Sequence, residues 1–300
     1  MQRVQVIDWL KSWPLALLPH HLLSRAVRAV TRWRTCWLKN LLIRTFIRHF
    51  RVDMSEAAEP SLGHYPDFNS FFTRSLRAGI RPQPDNPDCI ACPVDGYISE
   101  LGSIVDGCLV QAKGRTYSLS ELLGGNRECA ALFQGGIFTT LYLSPRDYHR
   151  IHMPGDGRLT ETIYIPGRLF SVAPHTTRAI PDLFTRNERL VSLFQTRCGP
   201  MAVVMVGAIF VACMETVWEG VIRGHRFGIR TRKYTAGGEH RQVLLARGAE
   251  MGRFNMGSTV ILLYGPGQAQ WDPQLAAGQA VRLGQPLGLI HPVTGRQSSC

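Results

Sequence analysis

The sequence predicts a mainly β protein of α+β type, a compact sandwich-like or barrel-like body with short helices, preceded by amphipathic helices. From Asp88 to Pro292 the chain runs as short apolar or alternating segments cut by glycine and proline, the texture of strands and turns. Before residue 52, apolar residues instead recur at helical spacing with arginines between them. A content of 45% hydrophobic residues, 29 glycines and 18 prolines in 300 residues describes a turn-rich chain long enough to bury a core.

Residues 1–51 hold ten Lys/Arg against Asp8 alone, so they carry +9 of the total +12. A basic arm on a nearly balanced body points to an anionic surface. From Leu22 to Leu41 a helical wheel sets Arg25, Arg28, Arg32 and Lys39 opposite Val30, Trp33, Trp37 and Leu41. Near Asn40 the register changes, and Ile43, Phe46, Ile47 and Phe50 form the stripe, flanked by Arg44, Arg48 and Arg51. Two helices fit this better than one. Aromatic residues opposite arginine suit a helix lying in a bilayer interface. Without a recognisable nucleic-acid module, no nucleic-acid partner is expected. The longest uncharged run, Cys198–Met214, contains Gly199, Pro200 and Gly207, and its Met201–Met214 portion reads as buried strand, not as a span. Trp13–Leu18 is too short and too interrupted by Pro14 for a signal peptide. Eight scattered cysteines read as reduced thiols. The expectation is a peripheral protein on the cytoplasmic face of the cell membrane.

Residues 52–64 read as a linker and 65–300 as the catalytic body. Asp67–Leu76 reads as a short capped helix, as does Ser118–Leu123, stopped by Gly124-Gly125. Strands are expected at Ile104–Ala112, Ile137–Leu143, Arg158–Ile165, Leu190–Gln195, Met201–Met214, Val217–Arg223, Gln242–Ala246, Ser258–Tyr264 and Ala280–Leu283. No internal repeat of fixed period is present.

The chemistry-bearing candidate is Gly257-Ser258-Thr259, at the mouth of an apolar strand. Gly257 lacks a Cβ, so its carbonyl is approachable, and the Ser258 hydroxyl is placed to attack it. That N-to-O acyl shift, followed by elimination and hydrolysis, leaves a pyruvoyl ketone at a new amino terminus. The bland alternative is a turn with a hydroxyl cap. Activating a serine needs a base, best a histidine oriented by a carboxylate. Ser144-Pro145-Arg146-Asp147 opens like a capped helix that would end after His152, placing His149 and His152 on one face of a cleft. His-x-x-His is also common on plain surfaces. Asp95, framed by Pro93 and Gly96, is the candidate carboxylate, although turn aspartates often cap their own backbone. Cys89 and Cys92 form a lone Cys-x-x-Cys without a second pair, and no metal site is assigned.

Taken in order, Phe72-Thr73-Arg74-Ser75-Leu76, Arg81-Pro82, Pro93-Val94-Asp95-Gly96, Gln111-Ala112-Lys113-Gly114, Tyr148-His149-Arg150-Ile151-His152-Met153-Pro154, Tyr164 to Val172, Asn187-Glu188-Arg189 and Met256-Gly257-Ser258-Thr259 resemble the motifs of the bacterial phosphatidylserine decarboxylase proenzymes. The resemblance covers roughly residues 65–292. Met256 is a mild departure from the family's usual leucine. The resemblance implies that Asp95, His152 and Ser258 form a self-processing triad that cuts Gly257 from Ser258. It implies a beta chain, 1–257, and an alpha chain, 258–300, held as a heterodimer. Ser258 would then become the pyruvoyl cofactor, with phosphatidylserine as substrate and His149 acting on it. Leu169 and Phe170, beside Arg168, are candidates for lipid contact or ordinary core. Two other functions fit parts of the pattern: a zinc hydrolase using His149 and His152, and a non-catalytic membrane-binding module.

Overall fold

The apolar run Ser258–Tyr264 forms the middle of the largest sheet in the computed structural model, which describes Asp8, Ser12 and residues 20–209, 214–222, 228–235, 242–255 and 258–292. It pairs antiparallel with Gly199–Val206 on one side and Ile137–Leu143 on the other. All seven of its residues are buried, which is why it reads as a continuous apolar stretch and not as an alternation. Outward from it, one half of the sheet continues through Gly199–Val206, Arg189–Thr196 and Gly157–Ile165 to Arg230–Lys233, with Leu244–Leu245 also on Gly157–Ile165. The other half continues through Ile137–Leu143 and Gly96–Ser103 to Ala280–Val281. Among the described residues this sheet runs from edge to edge without closing into a barrel.

Three smaller sheets complete the β layer. Gly220–Ile222, Met214–Thr216, Glu250–Phe254 and Arg150–His152 make one; Cys89–Ala91, Pro286–Ile290 and Ala269–Trp271 make another; Cys108–Ala112 and Arg115–Ser118 form a hairpin. The mainly β class expected from the sequence holds. Five expected strands are shorter or divided: Val217–Arg223 is strand only at Gly220–Ile222, Gln242–Ala246 only at Leu244–Leu245 and Ala280–Leu283 only at Ala280–Val281, and two others break for visible reasons. Ile104–Ala112 is strand only from Cys108, because Asp106 and Gly107 turn the chain at positive φ. Met201–Met214 leaves the large sheet at Gly207, whose N–H and C=O are taken by the Glu188 carbonyl and the Asn187 amide at 2.8 Å each, and Met214 opens a strand elsewhere. Residues 210–213 of that stretch, and Arg223 of the expected Val217–Arg223 strand, lie outside the described residues. Both short helices form with the expected caps, although the first, expected to reach Leu76, ends at Phe72. Ser118 accepts from Glu121 N at 3.3 Å ahead of Leu119–Leu122, and Asp67 Oδ1 accepts from Ser70 N at 2.8 Å ahead of Phe68–Phe72.

From residue 20 on the arm forms two helices, His20–Thr31 and Cys36–Phe50, broken at residues 32–35, earlier than the register change near Asn40; of the residues before them only Asp8 and Ser12, both helical, are described. The second helix persists through Asn40 because tertiary contacts hold it. Ile43 is fully buried, and the Phe46 ring meets Phe68, Phe71 and Phe72 edge-on at 5.1, 6.0 and 5.9 Å. Lys39, expected on the solvent-facing basic side, is buried instead, its Nζ donating to the carbonyls of Leu62 and Tyr65 at 3.1 and 2.7 Å. At 100° per residue, Trp37, Leu41, Arg44 and Arg48 fall on the opposite face, and all four are exposed. Trp33, in the break, is exposed as well. The arm thus splits its apolar residues between the body and solvent. The 52–64 segment lies along the body: Val52 and Ala57 are buried, and Ala58 N donates to Ser75 O at 2.9 Å.

Candidate active site

Ser258 is the first residue of the central strand and stands opposite Leu143, the last residue of its neighbour. The chain leaving Leu143 is Ser144–His152, so antiparallel pairing alone delivers both histidines to the end of the sheet where Ser258 begins. Asp95 reaches the same end from the other side, because the strand beginning at Gly96 pairs Tyr97 with Tyr142. Gly96 is required there, since a Cβ would sit 2.2 Å from the Tyr142 carbonyl oxygen. Asp95 and Ser258 thus flank one strand, two strand spacings or roughly 10 Å apart in backbone.

The segment between Ser144 and His152 differs from expectation. Ser144 and Asp147 close one turn, Asp147 Oδ2 accepting from Ser144 N and Oγ at 2.8 and 2.7 Å, but no helix follows. Arg150–His152 is instead a strand against Glu250–Phe254, and Arg150 is pulled to the Thr73 carbonyl and Glu250 at 2.9 and 2.8 Å. The two histidines therefore do not share a helix face.

His149 is fully buried against Phe72, with ring centroids 4.0 Å apart. Its Nδ1–H donates to the Asp147 carbonyl at 2.8 Å, which fixes the tautomer and leaves Nε2 as a lone pair without a partner. Burial lowers its pKa to about 3, helped by the positive charge of Arg74. His149 is thus a neutral base with an open acceptor atom. Burial also lowers the pKa of His152. His152 Nδ1–H donates to Gly248 O at 2.8 Å, and Nε2 accepts from Tyr148 Oη at 3.0 Å. The His152 backbone N–H donates to Pro93 O at 2.9 Å, so His152 and Asp95 are tied to one turn.

Asp95 itself is held by Arg81, whose Nε and Nη2 donate to its two oxygens at 3.0 and 2.6 Å, and by Leu283 N at 2.8 Å. Ser258 Oγ is buried without a hydrogen-bond partner among the described residues. The structure brings Asp95, His149, His152 and Ser258 to one end of the sheet. The side-chain hydrogen bonds of the first three go to Arg81, Leu283, Asp147, Gly248 and Tyr148, not to each other. Gly257, with Met256, lies outside the described residues. Arg81 and Tyr148 were present in the motifs without an assigned role; Arg81 in particular had no local signal, because its partner is 14 residues away.

Some other candidates resolve as scaffold. Leu169 and Phe170 are buried, so the lipid-contact alternative gives way to the core one; Asn187, fully buried, zips their turn by bonding Phe170 N and O at 3.0 and 2.9 Å. Cys92 is a buried thiol pushed up to about 12 by desolvation and bonded to Val94 O. Among the described residues no three His, Cys, Asp or Glu side chains converge as a metal-ligand set, so the zinc alternative finds no third ligand.

A family model described as phosphatidylserine decarboxylase matches residues 68–289, and a second, described as PSD, matches residues 10–51. The chain belongs to the phosphatidylserine decarboxylase family. The first match contains all four candidate side chains, and the second covers most of the basic arm. A phosphatidylserine decarboxylase proenzyme of Ectopseudomonas mendocina is 55% identical over 91% of this chain and 95% of its own length. Proenzymes of the same name from Azotobacter vinelandii and Nitrosococcus oceani are 52% and 53% identical, covering 91% and 94% of this chain and 95% and 92% of their own lengths. The chain is an enzyme of the phosphatidylserine decarboxylase type, and the resemblance read from its motifs is borne out.

Proposed function

We propose that this protein cuts itself between Gly257 and Ser258 and then decarboxylates phosphatidylserine to phosphatidylethanolamine and CO2. The observation that carries the reading is Ser258 Oγ, a buried hydroxyl without a partner among the described residues at the mouth of the central strand, at the sheet end that also holds two neutral histidines. In this reading His152, within reach of Asp95 through their shared turn, accepts the Ser258 proton, and the Gly257 carbonyl is attacked. The products are chains 1–257 and 258–300, which stay together as a heterodimer because the strand starting at Ser258 is paired on both sides.

Residues 258–264 suit a pyruvoyl group: the strand buries its first residue and leaves the Oγ position uncommitted. That group supplies an electrophilic ketone able to take up the electron pair released when CO2 leaves. His149 handles the proton. The substrate amine arrives as an ammonium, and Nε2, an acceptor in the resting state, takes one of its protons and returns it to Cα after CO2 departs. The arm seats the enzyme as a peripheral protein on the anionic cytoplasmic membrane surface, with Trp33, Trp37 and Leu41 toward the lipid and Arg44 and Arg48 at the headgroups.

Mass spectrometry of purified protein tests the cleavage. The wild type should give two chains, the smaller with a blocked terminus, whereas Ser258→Ala and His152→Ala should each give one full-length chain. Two chains from Ser258→Ala would end the proposal.

A further inference from the structure

Beside the candidate site lies a cleft of about 290 Å³, lined by residues of the arm, of the Phe68–Phe72 helix region and of the turns around Asp95 and Tyr148. Its carboxylates are already committed. Asp95 bonds Arg81 and Leu283 N; Glu56 bonds Arg81 and Arg282; Asp147 bonds Ser144; Asp53 accepts from Ser55 N. Among the described residues, two lining cations have no carboxylate partner, Arg51, which is exposed, and Arg74, which is buried. Arg74 is 4% exposed and donates only from Nη2, to the Arg146 carbonyl at 3.3 Å, while its Nε and Nη1 meet no acceptor. Its guanidinium lies 5.4 Å from the Phe71 ring centroid, two residues from the Phe72 that packs on His149. A buried guanidinium with two unused donors and no carboxylate partner is poorly stabilised until an anion completes it. At the rim, Arg146 is half exposed and bonds the Tyr97 hydroxyl.

We propose that Arg74, with Arg146 at the rim, binds a tetrahedral phosphate anion, and that in turnover this is the phosphodiester of the lipid headgroup; the second clause rests on the phosphatidylserine reading. Nε and Nη1 lie on different edges of the guanidinium, so each offers a single charge-assisted hydrogen bond to a phosphate oxygen. The substrate carboxylate is the wrong occupant. It must leave as neutral CO2, so an ion pair to arginine would stabilise the ground state over the transition state and slow the reaction. A phosphodiester keeps its charge throughout, so its binding is uniform and appears in KM.

The test uses the full-length, self-processed protein. Inorganic phosphate and glycerophosphoserine are each titrated by calorimetry, and decarboxylation of short-chain phosphatidylserine is measured for wild type, Arg74→Gln, Arg74→Lys and Arg146→Gln. Both probes should bind the wild type and inhibit competitively. Arg74→Gln should raise KM about 10- to 100-fold with kcat within about threefold, as expected for a charge-assisted hydrogen bond made equally in both states. Arg74→Lys should fall between. Equal binding of the two probes supports a phosphate site of broad scope; tighter glycerophosphoserine supports the headgroup assignment. If neither probe binds the wild type, or if Arg74→Gln lowers kcat at unchanged KM, the proposal is overturned. Should Arg74→Gln fail to fold, wild-type phosphate binding and a KM increase in the rim variant Arg146→Gln still decide. Phosphate binding is read without substrate, so a protein that binds phosphate but releases no CO2 would sink the decarboxylase reading and leave the site standing.

Discussion

Tyr148 Oη donates to His152 Nε2 at 3.0 Å because the other ring nitrogen, Nδ1–H, is directed to the Gly248 carbonyl at 2.8 Å. The lone pair that a cleavage base would use is therefore held by a phenol. Burial raises the pKa of that phenol, so it stays a donor at neutral pH. Tyr148 also lines the cleft that contains Asp95. The hydroxyl orients the neutral His152 ring, and in the proposed cleavage the Ser258 proton would take its place.

Tyr148→Phe should accordingly change how cleavage depends on pH. Removing a donor to the neutral imidazole removes one interaction that favours the uncharged ring, so the His152 pKa should rise toward its ordinary value. Cleavage needs the neutral base, so the midpoint of the acid limb should move upward. It is measured from single-turnover processing of freshly translated chain. An unmoved midpoint would mean that Nε2 of His152 is not where the proton goes.

The arm can be divided by mutation. Replacing Trp33, Trp37 and Leu41 together by serine removes only exposed side chains, 55%, 70% and 55% accessible, so stability should move by less than about 0.5 kcal/mol per site. Flotation with phosphatidylglycerol vesicles should fall about tenfold or more. Phe46→Ala should do the reverse, costing about 3 kcal/mol or more through the lost contacts with Phe68, Phe71 and Phe72, with vesicle binding retained. Deleting residues 1–51 entirely would mix the two effects. Undiminished flotation of the triple variant would remove this face from membrane binding.

His149 gives two readouts. His149→Ala should still process into two chains but lose about 10²- to 10⁴-fold in kcat, the usual worth of a proton-transfer group. Its stability signature is separate. The unfolded histidine takes up a proton below about pH 6.5, while the folded one, lowered to about 3, does not. The folded state is therefore favoured fully above pH 6.5 and loses about 1.4 kcal/mol per pH unit from this group as pH falls from about 6 toward 3. His152, also lowered, adds in the same direction. In urea titrations between pH 7 and 4, His149→Asn should flatten the slope by that amount; an unchanged slope would show that His149 charges in the folded protein.

By itself the sequence determined the class, the central strand and the candidate residues. A run such as Ser258–Tyr264 has few options: seven apolar or small residues between turn formers become a buried strand whatever surrounds them. Caps at Ser118 and Asp67 were equally local, since an oxygen three residues from an N–H needs no tertiary help. Tertiary structure decided the rest. Ser144-Pro145-Arg146-Asp147 carries a helix-start signal, yet one turn later Arg150 finds Thr73 and Glu250, 77 and 100 residues away, and sheet pairing overrides the local preference. The two apolar stripes of the arm look alike on a wheel. Only the aromatic cluster at Phe68, Phe71 and Phe72 determines that Phe46 is covered while Trp37 is not. The partners of Asp95, His149 and His152, namely Arg81 on Asp95, Asp147 O on His149 and both Tyr148 and Gly248 on His152, depend on which strands end together, and strand order is a property of the whole chain that no segment encodes alone.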